Sequence, residues 1–391
     1  MATPILTRLY DESDFATYTS FLALATIFAV GAGGKYHMAI VLPKTYTEAV
    51  RIFTLSLYLT GAYALVLTIV FLLFYRFTPQ SLGNLIYFVP IYVLFFGIWS
   101  AFTNLSVREK AFKNNAYAKV IQSLGYIVSA IVMGFTSISY YGLVLAKILG
   151  TMSSCLFLFN KGKIKLRPVR ITKLGAVATK YIDYPKYGIW PAFLNTASAQ
   201  ALILILTKYY TTADLGYYGL TYIVLSAPLG LIGTSFKDVF YQKIAELMSS
   251  NNFENALSFF KKSALILVLM GLPICILLYF WGEDIFALIF GEKWSRSGEF
   301  ASILAFSFLI KLVVSPLSSI FNAANKLKIA SIWQTLYFVT TFIVLGCCAI
   351  IFKVGVLNLF YIYVIHELVL YGIYFLLQYR TLKYFLVKAE I

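Results

Sequence analysis

The sequence predicts an all-α polytopic membrane protein of two parallel six-helix lobes: eleven transmembrane helices in this chain, with the first of twelve expected upstream of Met1. Three observations lead there. The 391 residues are 60% hydrophobic and 12% charged, more apolar surface than a water-soluble domain can hide. Thr7-Arg8-Leu9-Tyr10-Asp11-Glu12-Ser13-Asp14-Phe15-Ala16-Thr17-Tyr18 aligns with Thr207–Tyr218 at an offset of 200, with Thr, Tyr, Asp and Tyr identical and four further pairs alike. Both copies precede a long apolar stretch, as duplicated halves require. The third observation is the uneven distribution of basic residues between alternate loops.

A bilayer core needs about 20 apolar residues per helix. On that measure the first lobe, residues 1–160, holds spans near 15–32, 47–74, 84–105, 117–137 and 140–159. A basic linker, 161–183, leads to the second lobe, 184–391, with spans near 184–208, 213–236, 262–280, 300–322, 329–352 and 356–378. Gly31-Ala32-Gly33-Gly34 follows a helix rather than a strand, so it reads as a helix exit and not a phosphate loop. The stretch Lys237–Lys262 is amphipathic and is expected to lie along the membrane interface. Six spans separate the two copies of the repeat, so both face the same side. The second copy is preceded by a full helix and the first by six residues. Ala111, Ala118 and Gln122 recur as Ala323, Ala330 and Gln334, opening the fifth helix of each lobe.

Charge orients the set. If the 33–46 loop is inside, the inner loops carry 24 basic residues, from Lys35 and Lys44 to Arg380, Lys383 and Lys388, and the outer loops carry six: Arg8, Arg76, Lys208, Lys293, Arg296 and Lys353. Basic loops on the cytoplasmic side place the C-terminus in the cytoplasm. The formal charge of +16 is spread over every inner loop, which argues against nucleic-acid binding. Cys155, Cys275, Cys347 and Cys348 sit inside apolar segments without ligand spacing and read as small core residues. With only His37 and His366, no metal, cofactor or catalytic centre is expected.

Ionisable groups at membrane depth are costly and mark function. Two lysines fall there, Lys147 and Lys311, with a single acid, Glu367, beside His366. Lys147 is followed by Thr151 and Ser154 on one helical face. Lys311 belongs to the stripe Ser307, Lys311, Ser315, Ser318, Asn322. Glu367 belongs to Tyr363, Glu367, Tyr371, Tyr374, Gln378. Such faces must avoid lipid. Lys311 and Glu367 stand at matched depth, eleven residues into helices that start on one side, and can form a structural ion pair; Lys147 can snorkel to the outer headgroups. The alternative gives them function. Lys147 and Lys311, with Ser307 and Ser315, form a cationic site for an anionic headgroup such as a diphosphate. Glu367 and His366 then couple transport to an ion, H+ or Na+.

Thr7-Arg8-Leu9-Tyr10 with Asp14-Phe15 and Tyr18, then Lys35-Tyr36-His37-Met38-Ala39-Ile40-Val41-Leu42-Pro43-Lys44 with Glu48-Ala49, resemble the start of bacterial polysaccharide-biosynthesis flippases. These belong to the multidrug/oligosaccharidyl-lipid/polysaccharide exporter superfamily. Asp183-Tyr184-Pro185-Lys186-Tyr187, Val239-Phe240-Tyr241-Gln242-Lys243 and Phe290-Gly291-Glu292-Lys293-Trp294 with Gly298-Glu299 are similar to later parts of the same family. The resemblance implies two six-helix lobes around a central cavity, and a first helix that this sequence lacks. It implies a bacterial cytoplasmic-membrane protein that carries undecaprenyl-diphosphate-linked oligosaccharide (O-antigen, capsule or exopolysaccharide repeat units), with glycan polymerase machinery as a partner. No family-wide catalytic motif comes with it.

Two rivals are weaker. An ion-coupled antiporter of cationic drugs on this scaffold wants buried acids, and one acid stands against two lysines. A membrane glycan polymerase or acyltransferase needs an acid and base held together at the membrane face. Glu283 and Asp284 are adjacent, so their side chains diverge. The charge pattern has a direct check. Alkaline phosphatase inserted after Lys353 should be active and the same reporter fused after Ile391 inactive; the reverse pattern would refute the assigned orientation.

Overall fold

A computed structural model describes residues 3–74, 83–136, 139–161 and 171–390. These form helices joined by short turns, with no strand among the described residues. In order they are α1 (Thr3–Leu9), α2 (Glu12–Ala29), a 3-10 segment (Ala32–Val41), α3 (Tyr46–Leu73), α4 (Phe88–Arg108), α5 (Phe112–Gly134), α6 (Ser139–Lys161), α7 (Ile171–Lys180), α8 (Asp183–Tyr209), α9 (Thr212–Pro228), α10 (Thr234–Ser249), α11 (Phe253–Phe290), α12 (Ser295–Leu317), α13 (Ile320–Ala323), α14 (Leu327–Gly346) and α15 (Val356–Glu390). Among them ten helical runs are long and apolar enough to cross a membrane, and α2 with the 3-10 segment, bent by 61°, makes an eleventh. Arg76, Lys163, Lys165, Arg167 and Arg170 of the charge pattern lie outside the described residues.

The membrane character shows in which side chains face outward. Val120, Leu124, Val128 and Val132 stand one turn apart along α5 and are exposed, as are Leu265, Ile266, Leu269 and Ile276 of α11. These large apolar residues lie on the surface, where lipid replaces water as solvent.

The chain folds as two compact units, Met1–Gly216 and Tyr217–Ile391. That division differs from the expected lobe boundary at 160–184. α8 was assigned to the second lobe, yet it packs on α2 and on the 3-10 segment, and the Ser20 and Thr207 hydroxyls share a 3.0 Å hydrogen bond. The expected linker is also partly structured. Within it α7 seats Leu174 and Val177 in a core with Ile52, Phe53, Phe102 and Leu105, while Lys180 pairs with Glu48.

The repeat proves to be a helix-start device. The Asp11 backbone N–H donates to Asp14 Oδ2 at 3.1 Å at the head of α2; at the head of α9, Thr211 donates to Asp214 Oδ2 at 2.6 Å and receives the Asp214 N–H at 3.1 Å. Both satisfy amides that a helix N-terminus leaves open. Under the offset of 200, α1 aligns with the last two turns of α8.

The glycine run at 31–34 ends α2, but the chain does not become a loop. Within the 3-10 segment Gly33, Gly34 and Lys35 adopt φ of 60°, 56° and 61°, and the segment buries Tyr36, Ala39 and Ile40. Left-handed backbone favours glycine. At Gly33 a Cβ would also lie 2.5 Å from Ser56 Oγ. Arg108 at the end of α4 donates to the carbonyls of Ile40 and Val41, which anchors the segment.

In the second unit, the stretch 237–262 does not form a separate interfacial helix. It is divided between α10 and the first turns of α11, joined at a turn where Asn251 has φ of 55°. Phe240, Ile244, Phe253, Phe260 and Leu267 pack there into one core with Trp333 and Tyr374. The reason is apolar periodicity on the inner faces of both helices, which a partner helix satisfies better than a headgroup layer.

α11 and α12 cross where Gly282 meets Gly298. A Cβ on Gly298 would come 2.2 Å from the Gly282 carbonyl oxygen. Overpacking a close helix crossing costs about 1–3 kcal/mol. Gly298→Val should lower the thermal midpoint of the purified protein by several degrees, whereas Gly372→Val, which meets open space, should not. Equal midpoints for both variants would contradict the crossing.

Candidate functional site

The polar stripe of α15 faces inward along its length. Tyr363, Glu367, Tyr371, Tyr374 and Gln378 recur at i, i+4, i+8, i+11 and i+15, and all are buried. An i, i+4 spacing keeps them on one face, and the apolar residues between them are left for the outside. α12 and α14 pack against α15 in the second unit.

Lys311 and Glu367 meet at the centre. Lys311 Nζ is 2.9 Å from Glu367 Oε2, and the carboxylate is fully buried. Lys311 also donates to the Tyr363 hydroxyl at 2.9 Å, and the Tyr337 hydroxyl donates to Glu367 Oε1 at 2.7 Å. The rings of Tyr363, Phe308 and Tyr371 lie 5.1, 5.9 and 5.9 Å from the ammonium, near enough for cation–π attraction. Trp333 braces this set. It stacks on Tyr374 at 3.8 Å and on Tyr337 at 5.1 Å. The expected structural ion pair is present and carries an aromatic shell.

The neighbouring polar residues divide. Ser307 is buried and its hydroxyl has no hydrogen-bond partner, whereas Ser315, two turns along α12, is exposed. His366 does not join Glu367. It turns to α14, where its Nε2 lies 3.2 Å from the Thr340 hydroxyl, because consecutive helical residues point about 100° apart. Gln378 donates to the Val314 carbonyl at 3.2 Å and ties α15 to α12 just before Pro316.

The first unit holds a different arrangement. Lys147 lies on the face of α6 that also carries Thr151 and Ser154, both fully buried. Gln122 of α5 donates to Thr151 at 3.2 Å. Ser154 has a buried hydroxyl without a partner. Half-buried itself, Lys147 makes no ion pair among the described residues. Its side therefore faces protein and not lipid. The two lysines sit in different units and in different electrostatic states, one neutralised and one not.

Tyr337 and Trp333 were not singled out from the sequence. Their signal was available: Trp333, Tyr337 and Thr341 fall at i, i+4 and i+8 on α14, and all three are buried. The four cysteines are unbonded, three of them buried, as small core residues are. Among the described residues no group of three or more His, Cys, Asp or Glu side chains could hold a metal ion.

Comparison with known proteins fits this picture. Residues 5–299 match the family described as "Polysaccharide biosynthesis protein". Over 217 residues, 55% of this chain, the sequence is 21% identical to the teichuronic acid biosynthesis protein TuaB of Bacillus subtilis (strain 168); the match spans 43% of that protein's length. The fold is similar to an inward-facing multidrug resistance MATE family transporter of the MOP superfamily, with TM-score 0.73 at 14% identity, covering 97% of this chain and 95% of that one. It is also similar to a MOP superfamily transporter from Pyrococcus furiosus described as having a binding pocket of reverse polarity, with TM-score 0.61 at 15% identity, covering 98% and 91%.

The ion pair makes a stability test. Removing one partner of a buried pair costs about 3–5 kcal/mol, while replacing both with apolar residues is often neutral. Lys311 is partly exposed, so the lower end applies. Glu367→Leu alone should unfold at markedly lower denaturant concentration, and the double variant Lys311→Met, Glu367→Leu should recover most of the loss. Additive losses would mean that the two groups do not compensate each other.

Proposed function

The chain belongs to the polysaccharide biosynthesis protein family, and on that footing we propose that it is a flippase moving undecaprenyl-diphosphate-linked oligosaccharide repeat units across the bacterial cytoplasmic membrane by alternating access. The family match over residues 5–299 carries the reading. The polar interior supports it. A lysine at membrane depth without a counter-ion is stabilised by an anion, and the diphosphate supplies one to Lys147. At the second lysine the same headgroup competes with Glu367. Ser307 and Ser315, one turn either side of Lys311, offer hydroxyls to phosphate or sugar.

Coupling follows from the competition. When the diphosphate takes Lys311, Glu367 loses its counter-ion while the Tyr337 hydroxyl still donates to it, and a coupling cation, H+ or Na+, takes the lysine's place. His366, held by Thr340 on the neighbouring face, is the second titratable group of that region. The lipid tail stays in the bilayer while the headgroup crosses.

A multidrug antiporter is the second reading, favoured by the folds of the similar solved structures. A cationic drug wants a free buried acid, and Glu367 already holds Lys311. Deletion of the gene separates the two. Lipid-linked repeat units should build up on the inner leaflet with drug susceptibility unchanged. Restored Lys147→Ala should cut surface glycan export by about tenfold or more, the worth of one charged hydrogen bond, at unchanged protein level; Lys311 is removed together with its partner, as Lys311→Met, Glu367→Leu, so that no uncompensated carboxylate is left behind. Full export by Lys147→Ala and by the Lys311→Met, Glu367→Leu variant would exclude the cationic site.

A further inference from the structure

The second unit contains an apolar cavity of about 160 Å³ at membrane depth. Val224 and Pro228 of α9, Cys275 of α11, and Ala305, Leu309 and Leu312 of α12 form its walls. Its lining carries no charged side chain. Pro228 removes one backbone donor from α9, and the helix widens into a π turn over Leu229–Gly233 directly after it. The exposed Ile274 and Leu277 form the mouth on α11. Leu277 also lines a second apolar groove with Leu269, Leu272, Pro273, Ile276 and Trp281, so a chain leaving the cavity has a continuous apolar path along the outside of α11.

One wall residue links this cavity to the charged site. Phe308 lines it, and the same ring lies 5.9 Å from Lys311 Nζ. An apolar hole and a cation that share one phenyl ring fit an amphiphile with the anion close to the start of its chain. In a polyprenyl diphosphate the diphosphate is bonded directly to the first prenyl carbon. In a phospholipid a glycerol and two ester groups come between phosphate and chain, and those polar groups would have to lie against Phe308. Size agrees as well. An apolar cavity of roughly 150 Å³ holds a six-carbon ring, and a prenyl unit has five carbons.

We infer that this cavity binds the prenyl unit nearest the diphosphate, with the rest of the chain leaving past Leu277 along α11. The inference rests on the flippase reading and adds a site within the protein for the head of the lipid chain. It gives the carrier a means to recognise the isoprenoid lipid as well as its headgroup.

The test uses the full chain in nanodiscs of phosphatidylethanolamine and phosphatidylglycerol. The probe is an undecaprenyl diphosphate analogue with a diazirine on its first prenyl unit, and adducts are mapped by peptide mass spectrometry. Saturable labelling is expected on the cavity walls of α9, α11 and α12, competed by unlabelled undecaprenyl diphosphate and not by added phospholipid. Ala305→Phe fills the cavity and should reduce these adducts by at least about tenfold. Cys275→Phe, on the α11 wall, serves if the first variant does not fold. Equal labelling by a diazirine phosphatidylcholine would overturn the inference and show a general lipid cavity. Saturable labelling elsewhere would also overturn it, while leaving the flippase reading in place. No saturable labelling anywhere would overturn both.

Discussion

A charge inside a bilayer has to be answered from within the protein. The surrounding lipid offers no hydrogen bonds and little dielectric screening. In the second unit the answer is local. Lys311 and Glu367 neutralise each other at 2.9 Å, two tyrosine hydroxyls take further positions around the pair, and aromatic rings close over the ammonium. Much of the architecture there follows from that requirement. The stripe on α15 is polar because it faces α12 and α14, and its outer side is apolar because it faces lipid. Gln378, three turns beyond Glu367 on α15, and Val314, about one turn beyond Lys311 on α12, repeat the link with uncharged groups.

The first unit treats the same problem differently. Lys147 has buried hydroxyls on its face and no carboxylate partner among the described residues. Two duplicated halves would be expected to share an electrostatic plan, yet the acid of the second has no counterpart beside Lys147 in the first. The asymmetry leaves one lysine neutralised inside the fold and the other without a carboxylate partner among the described residues.

Much of the fold was legible because lipid enforces a simple rule. Long apolar runs between basic loops mark spans that fall on the helices and match α3, α6 and α8 within a few residues, whereas α11 (Phe253–Phe290) and α15 (Val356–Glu390) run well past the expected 262–280 and 356–378. The Lys311–Glu367 pair was legible too, because helical spacing and matched depth leave few alternatives. Contacts outside the lipid were less so. α7 docks on α3 through Leu174 and Val177, two apolar residues within a strongly basic stretch, and the charge hid them. The 237–262 stretch has an amphipathic pattern that suits an interface or a helical hairpin equally, and only the partner helix decides. Periodicity shows that a face is buried, but not against which neighbour. For that reason Tyr337 escaped notice, although it completes the carboxylate's hydrogen bonding from another helix. The assignment of His366 to the coupling pair depended on adjacency in sequence, which on a helix separates side chains rather than joining them.

Of the five tryptophans, Trp333 is the one stacked on Tyr337, whose hydroxyl holds Glu367. Indole emission responds to nearby charge and to the rings beside it. A change in the carboxylate's partner would thus be felt by a fluorophore one ring away. Trp190 and Trp281 are exposed, and Trp294 is buried near Tyr217 at a different part of the fold. The protein thus carries an intrinsic optical gauge of its own charged centre, readable without any added dye.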